Sequence, residues 1–273
     1  MALAEANRKF FDNLTDMYDG SPWAKKLGPQ LIEAFRSRRD WIGVDFLDED
    51  ATNSDKTVRL LDYACGTGMV SRALGPYVTT TVGIDISPNM VAAYNEQAKS
   101  SSLPNSQISA VVGDLFAPEP PEALSGPEFF NFDLAVVSAG YHHFDDVVLC
   151  TKRLTERLKP GGVLVISDFL QGPDTDVFHG TVEGHGEHSH GHHHHDHSHH
   201  QGHHSHEPAD LPSDMRAAIK VFSFDEAGVR AFFEEAGLVG FEISVMEEKV
   251  YMEFGGKKME RTVFFAKGTR PKA

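Results

Sequence analysis

The stretch "LLDYACGTGMVSRAL", Leu60 to Leu74, decides the fold. It begins as a short apolar run closed by an acid, Asp62. It turns at Gly66 and Gly68 around Thr67, then continues as a helical segment over Met69–Leu74. A strand that turns sharply into a helix needs residues that tolerate positive φ, and glycine also lets a ligand touch the backbone. The turn fits the first part of a dinucleotide-binding fingerprint but lacks its third glycine at the required spacing.

Outward from this turn the same unit repeats in kind. "TTTVGID" (Thr79 to Asp85), "QISAVVGD" (Gln107 to Asp114), "FDLAVVSA" (Phe132 to Ala139) and "GGVLVISD" (Gly161 to Asp168) read as four further strands. Helical stretches at Pro88–Lys99 and Asp145–Leu158 lie between them. Strands alternating with helices predict a parallel sheet with crossover helices. Continuous apolar runs suit strands covered on both faces. Asp85 ends the second strand, 23 residues after Asp62, where an acid is placed to accept hydrogen bonds from a ribose diol.

Residues 1–47 read as a helical cap. Phe10, Phe11, Leu14, Met17 and Tyr18 form an apolar stripe, and a second helix opens with Ser21 as N-cap and Pro22 at its first position. Residues 171–213 are low-complexity and read as an insertion within one domain spanning 1–273. After it, Ser223 and Glu226 have the spacing of a capping box, and Gly237 is placed to end that helix. "VGFEISVME" and "RTVFFAKG" read as two strands forming a hairpin edge. The fold class is therefore α/β: a Rossmann-like, doubly wound sheet, mostly parallel with an antiparallel last strand.

Composition narrows the partners. Forty Asp and Glu against 25 Lys and Arg give a formal charge of −15, which repels nucleic acid and anionic membrane at long range. "FRSRRD" (Phe35 to Asp40) is a short basic cluster and reads as a solvated helix face. Two cysteines cannot make a disulfide framework, and with no apolar run long enough for a leader or a span, a cytosolic or nuclear protein is expected. Cys65 reads as a small residue packed under the glycine turn.

Taken together, these motifs resemble the class I S-adenosylmethionine-dependent methyltransferases, in the general manner of the ubiquinone and menaquinone biosynthesis type. "LLDYACGTG" is similar to their first motif, with Ala64 where glycine is frequent; "GIDISPNMV" resembles the second and "VVGDLF" the third. The resemblance implies S-adenosylmethionine as cofactor. It implies that Asp62, Ala64, Gly66, Thr67 and Gly68 form the turn around it, with Asp85 on the ribose and Ile86 and Met90 near the adenine. It further implies Asp114 on the adenine amino group, Leu115 on the ring, Ser138 near the methionyl end, and a closing cap that carries Tyr18 and Asp19. It covers about residues 7–170 and 222–268.

An in-line transfer needs orientation more than acid–base chemistry, but a phenol or amine acceptor can also need a base. "SAGYHHFDD" is where one is expected: His142 and His143 follow the fourth strand at the ligand edge of the sheet, and analogy favours His143. A small-molecule acceptor is the leading expectation. A protein lysine or arginine acceptor, and a non-catalytic metal-binding or scaffold protein on this fold, are the rivals.

Thirteen of the sixteen histidines fall between His185 and His206. His188, His190, His195 and His197 have chelating spacing for a divalent transition metal. The tract reads as an insertion that binds metal weakly, apart from catalysis.

Overall fold

A computed structural model describes residues 2–48, 55–100, 107–173, 212–254 and 257–272. The metal-ligand candidates His188, His190, His195 and His197 lie outside these residues.

Seven strands form the main sheet: β1 (Arg59–Tyr63), β2 (Thr80–Asp85), β3 (Gln107–Val112), β4 (Phe132–Ser138), β5 (Leu158–Phe169), β6 (Val239–Val245) and β9 (Val263–Thr269). Their order is β3-β2-β1-β4-β5-β9-β6. The five strands from β3 to β5 pair in parallel, and β9 inserts antiparallel between β5 and β6. This is the predicted doubly wound architecture. The apolar runs are buried as expected of strands covered on both faces: Leu60, Leu61, Leu134, Ala135, Val136 and Val137 are wholly inaccessible. Because β1 pairs with β2 on one side and β4 on the other, the order in which strands are added switches sides between β1 and β4. The connections part there, and a crevice opens at the carboxyl ends of the strands.

The cap consists of α1 (Ala2–Tyr18), α2 (Pro22–Ser37) and the short α3 (Arg39–Ile42). Ser21 caps α2 as the sequence predicts, accepting from the Ala24 N–H at 3.3 Å. Trp23, Leu31 and Phe35 give α2 an inward stripe at helical spacing. α1 lies across the crevice: Asp12 accepts from Ser87 Oγ at 2.6 Å, while Asn7 donates to the His143 carbonyl at 3.1 Å. The crossover helices α4 (Met69–Leu74), α5 (Pro88–Ser100) and α6 (Val147–Arg157) fall where the sequence puts them.

The C-terminal part corrects the sequence reading twice. First, α8 (Glu226–Glu235) starts not from a Ser223 cap but from Asp225, whose Oδ1 accepts the Gly228 N–H at 2.7 Å. Ser223 is unavailable because the next residue is tied into the sheet edge: Phe224 N donates to Phe169 O, and Gln171 N to Phe224 O. Second, β6 and β9 do pair antiparallel, but they are not joined as a simple hairpin. A separate two-stranded sheet, β7 (Val250–Phe254) with β8 (Lys257–Arg261), is inserted between them. A short helix, α7 (Ser213–Ala218), follows the histidine-rich insertion.

Candidate active site

Two hollows meet at the crevice. The first, about 650 Å³ including its mouth, is lined by Asp62, Ala64, Cys65, Gly66, Thr67, Asp19 and Trp23, among others. Gly66 and Gly68 adopt φ of +51° and +92°, and a side chain at Gly66 would meet no protein atom within 4 Å. The glycine turn thus faces open space that a ligand can fill. Ala64, at φ +53°, and Ala139, at φ +51°, hold left-handed backbone without glycine, at a strain cost of roughly 1–2 kcal/mol each. Ala64 therefore serves in the glycine-like position despite its methyl group.

Two acids bracket this turn. Asp62 is 1% exposed and accepts from both the N–H and the hydroxyl of Ser71, at 3.1 and 2.6 Å; Ser71 Oγ in turn meets Tyr94 OH at 2.6 Å. Burial pushes its carboxyl up to about 7, with the Ser71 bonds working against that rise. Asp85 accepts the Gly66 N–H at 2.8 Å and the Ser87 N–H at 2.9 Å. It too is raised by burial, partly offset by those backbone bonds. Both carboxylates keep lone pairs free of these bonds. Ser138 Oγ is buried and finds no hydrogen-bond partner among the described residues, and Ser138 lines both hollows. An open glycine cradle, two incompletely used carboxylates and an orphaned hydroxyl fit a ligand with an ammonium group and a ribose diol.

The remaining predicted cofactor residues divide. Asp114 is not among the residues lining this hollow; it accepts from Tyr63 OH at 3.3 Å and the Phe116 N–H at 2.7 Å. Met90 is buried beside Ser87, and Ile86 is half-buried. Leu115 departs from expectation: it is wholly buried in the main core. Its neighbour Phe116 is the half-buried side chain there, 4.6 Å from the Tyr63 ring and 4.8 Å from Phe144 between centroids. Tyr18 ends α1, but its side chain lies outside what the structure describes. Asp19 does reach the turn, accepting from Thr67 Oγ1 at 3.0 Å.

The second hollow, about 900 Å³ with its mouth, shares Trp23, Leu27, Leu31, Ser138 and Ala139 with the first. The rest of its wall is mostly apolar, from Phe10, Phe11, Leu14, Phe169, Phe222 and three methionines. Its polar groups centre on His142 and His143. His142 Nδ1 lies 2.9 Å from Asp168 Oδ1, and the His142 backbone N–H donates to Asp168 Oδ2 at 3.2 Å. Burial would raise the Asp168 carboxyl, but the adjacent imidazole and its hydrogen bonds leave it below the ordinary carboxylate range. An ionised carboxylate only accepts, so the hydrogen bond between His142 and Asp168 is donated by Nδ1–H.

His143 differs. Its Nδ1–H donates to the Ala218 carbonyl at 2.7 Å, and Phe11 packs edge-on at 5.0 Å. Burial, then the neighbouring His142, pushes its pKa down to about 3, which leaves it neutral and a poor proton acceptor. The two rings are thus held differently, His142 by the Asp168 carboxylate and His143 by a backbone carbonyl. Asp168 was legible only as a strand-ending acid, and the methionines of the wall carried no sequence signal.

Residues 61–164 match the methyltransferase domain family. An uncharacterized methyltransferase of Schizosaccharomyces pombe is 38% identical over 144 residues, 50% of this chain and 48% of that one. The 2-methyl-6-phytyl-1,4-hydroquinone methyltransferase of Synechocystis is 30% identical over 161 residues, 59% of this chain and 45% of that one. The chain spans about half the length of the curated relatives it matches. Among solved structures, a SAM-dependent methyltransferase from Anabaena variabilis superposes with a TM-score of 0.61 at 18% identity, covering 99% of this chain and 96% of that one. That likeness concerns the fold.

Proposed function

The chain carries a methyltransferase domain of the class I S-adenosylmethionine-dependent type, and from that premise we propose that it methylates a small, largely apolar molecule bearing a weakly acidic hydroxyl. The observation that carries this reading is the mostly apolar hollow that opens onto the glycine-turn cleft and holds the His142–Asp168 pair. When bound, S-adenosylmethionine supplies a methyl group already activated as a sulfonium, so the protein has no bond to polarise.

The protein's tasks are then to orient, to exclude water and to take one proton. Gly66 lets the cofactor approach the backbone, and Gly68 gives the turn its left-handed bend against Tyr94. Asp85 faces its ribose, Asp62 and Ser138 its amino-acid end, and Asp114 its base. Phe10, Phe11, Leu14 and Trp23 cover the acceptor. His142 Nε2 accepts the hydroxyl proton while Asp168 holds Nδ1–H and stabilises the imidazolium that forms. Losing that proton leaves the phenolate oxygen as the nucleophile, so one base suffices for transfer to oxygen. The relative named for a phytyl hydroquinone supports an aromatic hydroxyl on an apolar body. A lysine or arginine acceptor is disfavoured because the one carboxylate among the described lining residues, Asp168, is already engaged by His142. Metal binding by the histidine tract is proposed as peripheral to the transfer.

The test is calorimetry with S-adenosylhomocysteine, followed by transfer of labelled methyl to 4-alkylphenols and to histone side by side, each with and without chelator. Heat of binding and chelator-insensitive labelling of a phenol are expected. Folded protein that gives no heat, or that labels histone alone, refutes the reading.

A further inference from the structure

The wall of the acceptor hollow has one component that the cofactor site does not share. In β7–β8 the register places Met252 opposite Met259 and Val250 opposite Arg261. Side chains alternate across a strand, so these four share one face, while Tyr251, Glu253, Lys258 and Glu260 share the other. Burial follows that alternation: Val250, Met252 and Arg261 are buried, and Lys258 and Glu260 are exposed. All four inner residues line the acceptor hollow, and none lines the cofactor cleft.

Every other wall of that hollow is constrained by the rest of the fold. The ends of β4 and β5 carry Ser138, His142 and Asp168, and α2 contributes Trp23 and Leu27 to both hollows at once. The hairpin belongs to a separate sheet and forms no ladder with the main one. It leans on α2, with Lys26 Nζ 5.8 Å from the Tyr251 ring centre. Arg261, at its base, sits 4.6 Å from the Phe169 ring and donates to the Phe222 carbonyl. Beyond Arg261 and Val250, the face presents two unbranched thioethers to the hollow, with Met215 from α7 as a third. Methionine is the core side chain that reshapes most readily around a neighbour.

We propose that the inner face of the β7–β8 hairpin, Met252 with Met259, determines which acceptors the enzyme takes by setting how long an uncharged hydrocarbon the hollow accommodates. The proposal rests on the reading of that hollow as the acceptor site. It assigns selection to residues that do not line the cofactor cleft.

The test follows Trp23 fluorescence in a Trp41→Phe background, because Trp23 lines the hollow and the other tryptophan does not. The probes are 4-n-alkylphenols from ethyl to decyl, at saturating S-adenosylhomocysteine. Affinity should rise about fourfold per methylene while the chain fills apolar space, then level off when the hollow is full. Met252→Ala, Met259→Ala and the double variant should move the levelling point to chains longer by two or more methylenes. Met259→Phe should move it to shorter chains, and Glu260→Ala, on the outer face, should leave it in place. Heat of S-adenosylhomocysteine binding verifies that each variant is folded. Where an alanine variant fails that check, Met259→Phe and Met259→Leu carry the comparison, both expected to shorten the limit.

An unchanged levelling point in every folded inner-face variant overturns the proposal, as does the absence of binding at any chain length. A shifted levelling point without methyl transfer to any phenol upholds the hairpin's role and refutes the hydroxyl-acceptor reading instead.

Discussion

Replacing Asp62 with asparagine should remove a loss of stability that the wild-type protein suffers between pH 5 and pH 8. Asp62 is 1% exposed, and its carboxyl is raised by burial from 3.8 to about 7. The unfolded chain ionises this group near 3.8. Between that value and about 7 the folded state holds a proton that the unfolded state has lost, so stability falls as pH rises through the window. Asparagine has no such titration. Its carbonyl can accept the two Ser71 bonds that now converge on Oδ2, and any pH-independent cost of the substitution cancels when two pH values are compared. From pH 5 to pH 8 the variant should gain on wild type by about 1–3 kcal/mol, since each unit of the window is worth about 1.4 kcal/mol. Urea denaturation at both pH values measures it. A difference between variant and wild type that is the same at pH 5 and pH 8 would show that Asp62 ionises normally in the folded protein, and the argument fails.

Asp168→Asn should lower turnover by about 10²–10⁴-fold by releasing the tautomer of His142, with S-adenosylhomocysteine affinity within about threefold of wild type by calorimetry; unchanged turnover removes His142 as the base. Gly68→Ala puts a methyl 2.9 Å from Tyr94 Cδ2 at a φ of +92°, and should cost about 2–4 kcal/mol in a denaturant titration, from left-handed strain plus overpacking. His143 is held neutral, with a folded pKa of about 3 against 6.5, so the unfolded state binds the extra proton and stability is lost as pH falls below 6.5. His143→Asn can retain a donor to the Ala218 carbonyl, and should flatten that acid limb in a pH series of urea midpoints.

Much of the sheet was readable because each strand is an apolar run ended by an acid or a turn, and these local signals survive tertiary packing. Asp62, Asp85, Asp114 and Asp168 mark the carboxyl ends of their strands in the sequence. Which acid pairs with what is a different matter. Asp168 meets His142, 26 residues earlier, only because β5 lies beside β4 in the sheet. Nor can sequence separate His142 from His143. One short helical turn, Tyr141–His143, aims the first at Asp168 and the second at Ala218. The Ser223 capping box fails because Phe224 is already bonded on both sides, its N–H to Phe169 at the end of β5 and its carbonyl to Gln171 just beyond it. The β7–β8 hairpin was passed over because "EKVYMEFGGKKMER" is rich in charge. Lys258 and Glu260 belong to its solvent face, and the Gly-Gly turn signal was present in the sequence.

The two hollows also differ in how their buried acids are compensated, and that difference has a measurable consequence. Asp168 is matched inside the protein by His142 and two backbone N–H groups, and its carboxyl lies below its ordinary range. Asp62 and Asp85 lie at the cofactor turn, and both are raised. On the proposed reading, Asp168 is compensated before anything binds, whereas the two carboxylates at the glycine turn await a ligand's charge. A ligand ammonium beside Asp62 favours the ionised carboxylate, so binding near neutral pH should expel a proton. S-adenosylhomocysteine affinity should therefore rise from pH 6 to pH 8, by up to about tenfold for one proton coupled near pH 7. Because ligand stabilisation grows as RT ln(1 + [L]/Kd), the urea midpoint should shift more at pH 8 than at pH 6 for the same ligand concentration. Calorimetry in buffers of different ionisation heat counts the proton directly. In Asp62→Asn both the released proton and the pH dependence should shrink. Equal proton release from that variant and wild type would assign the titration to Asp85 and remove Asp62 from the ammonium site.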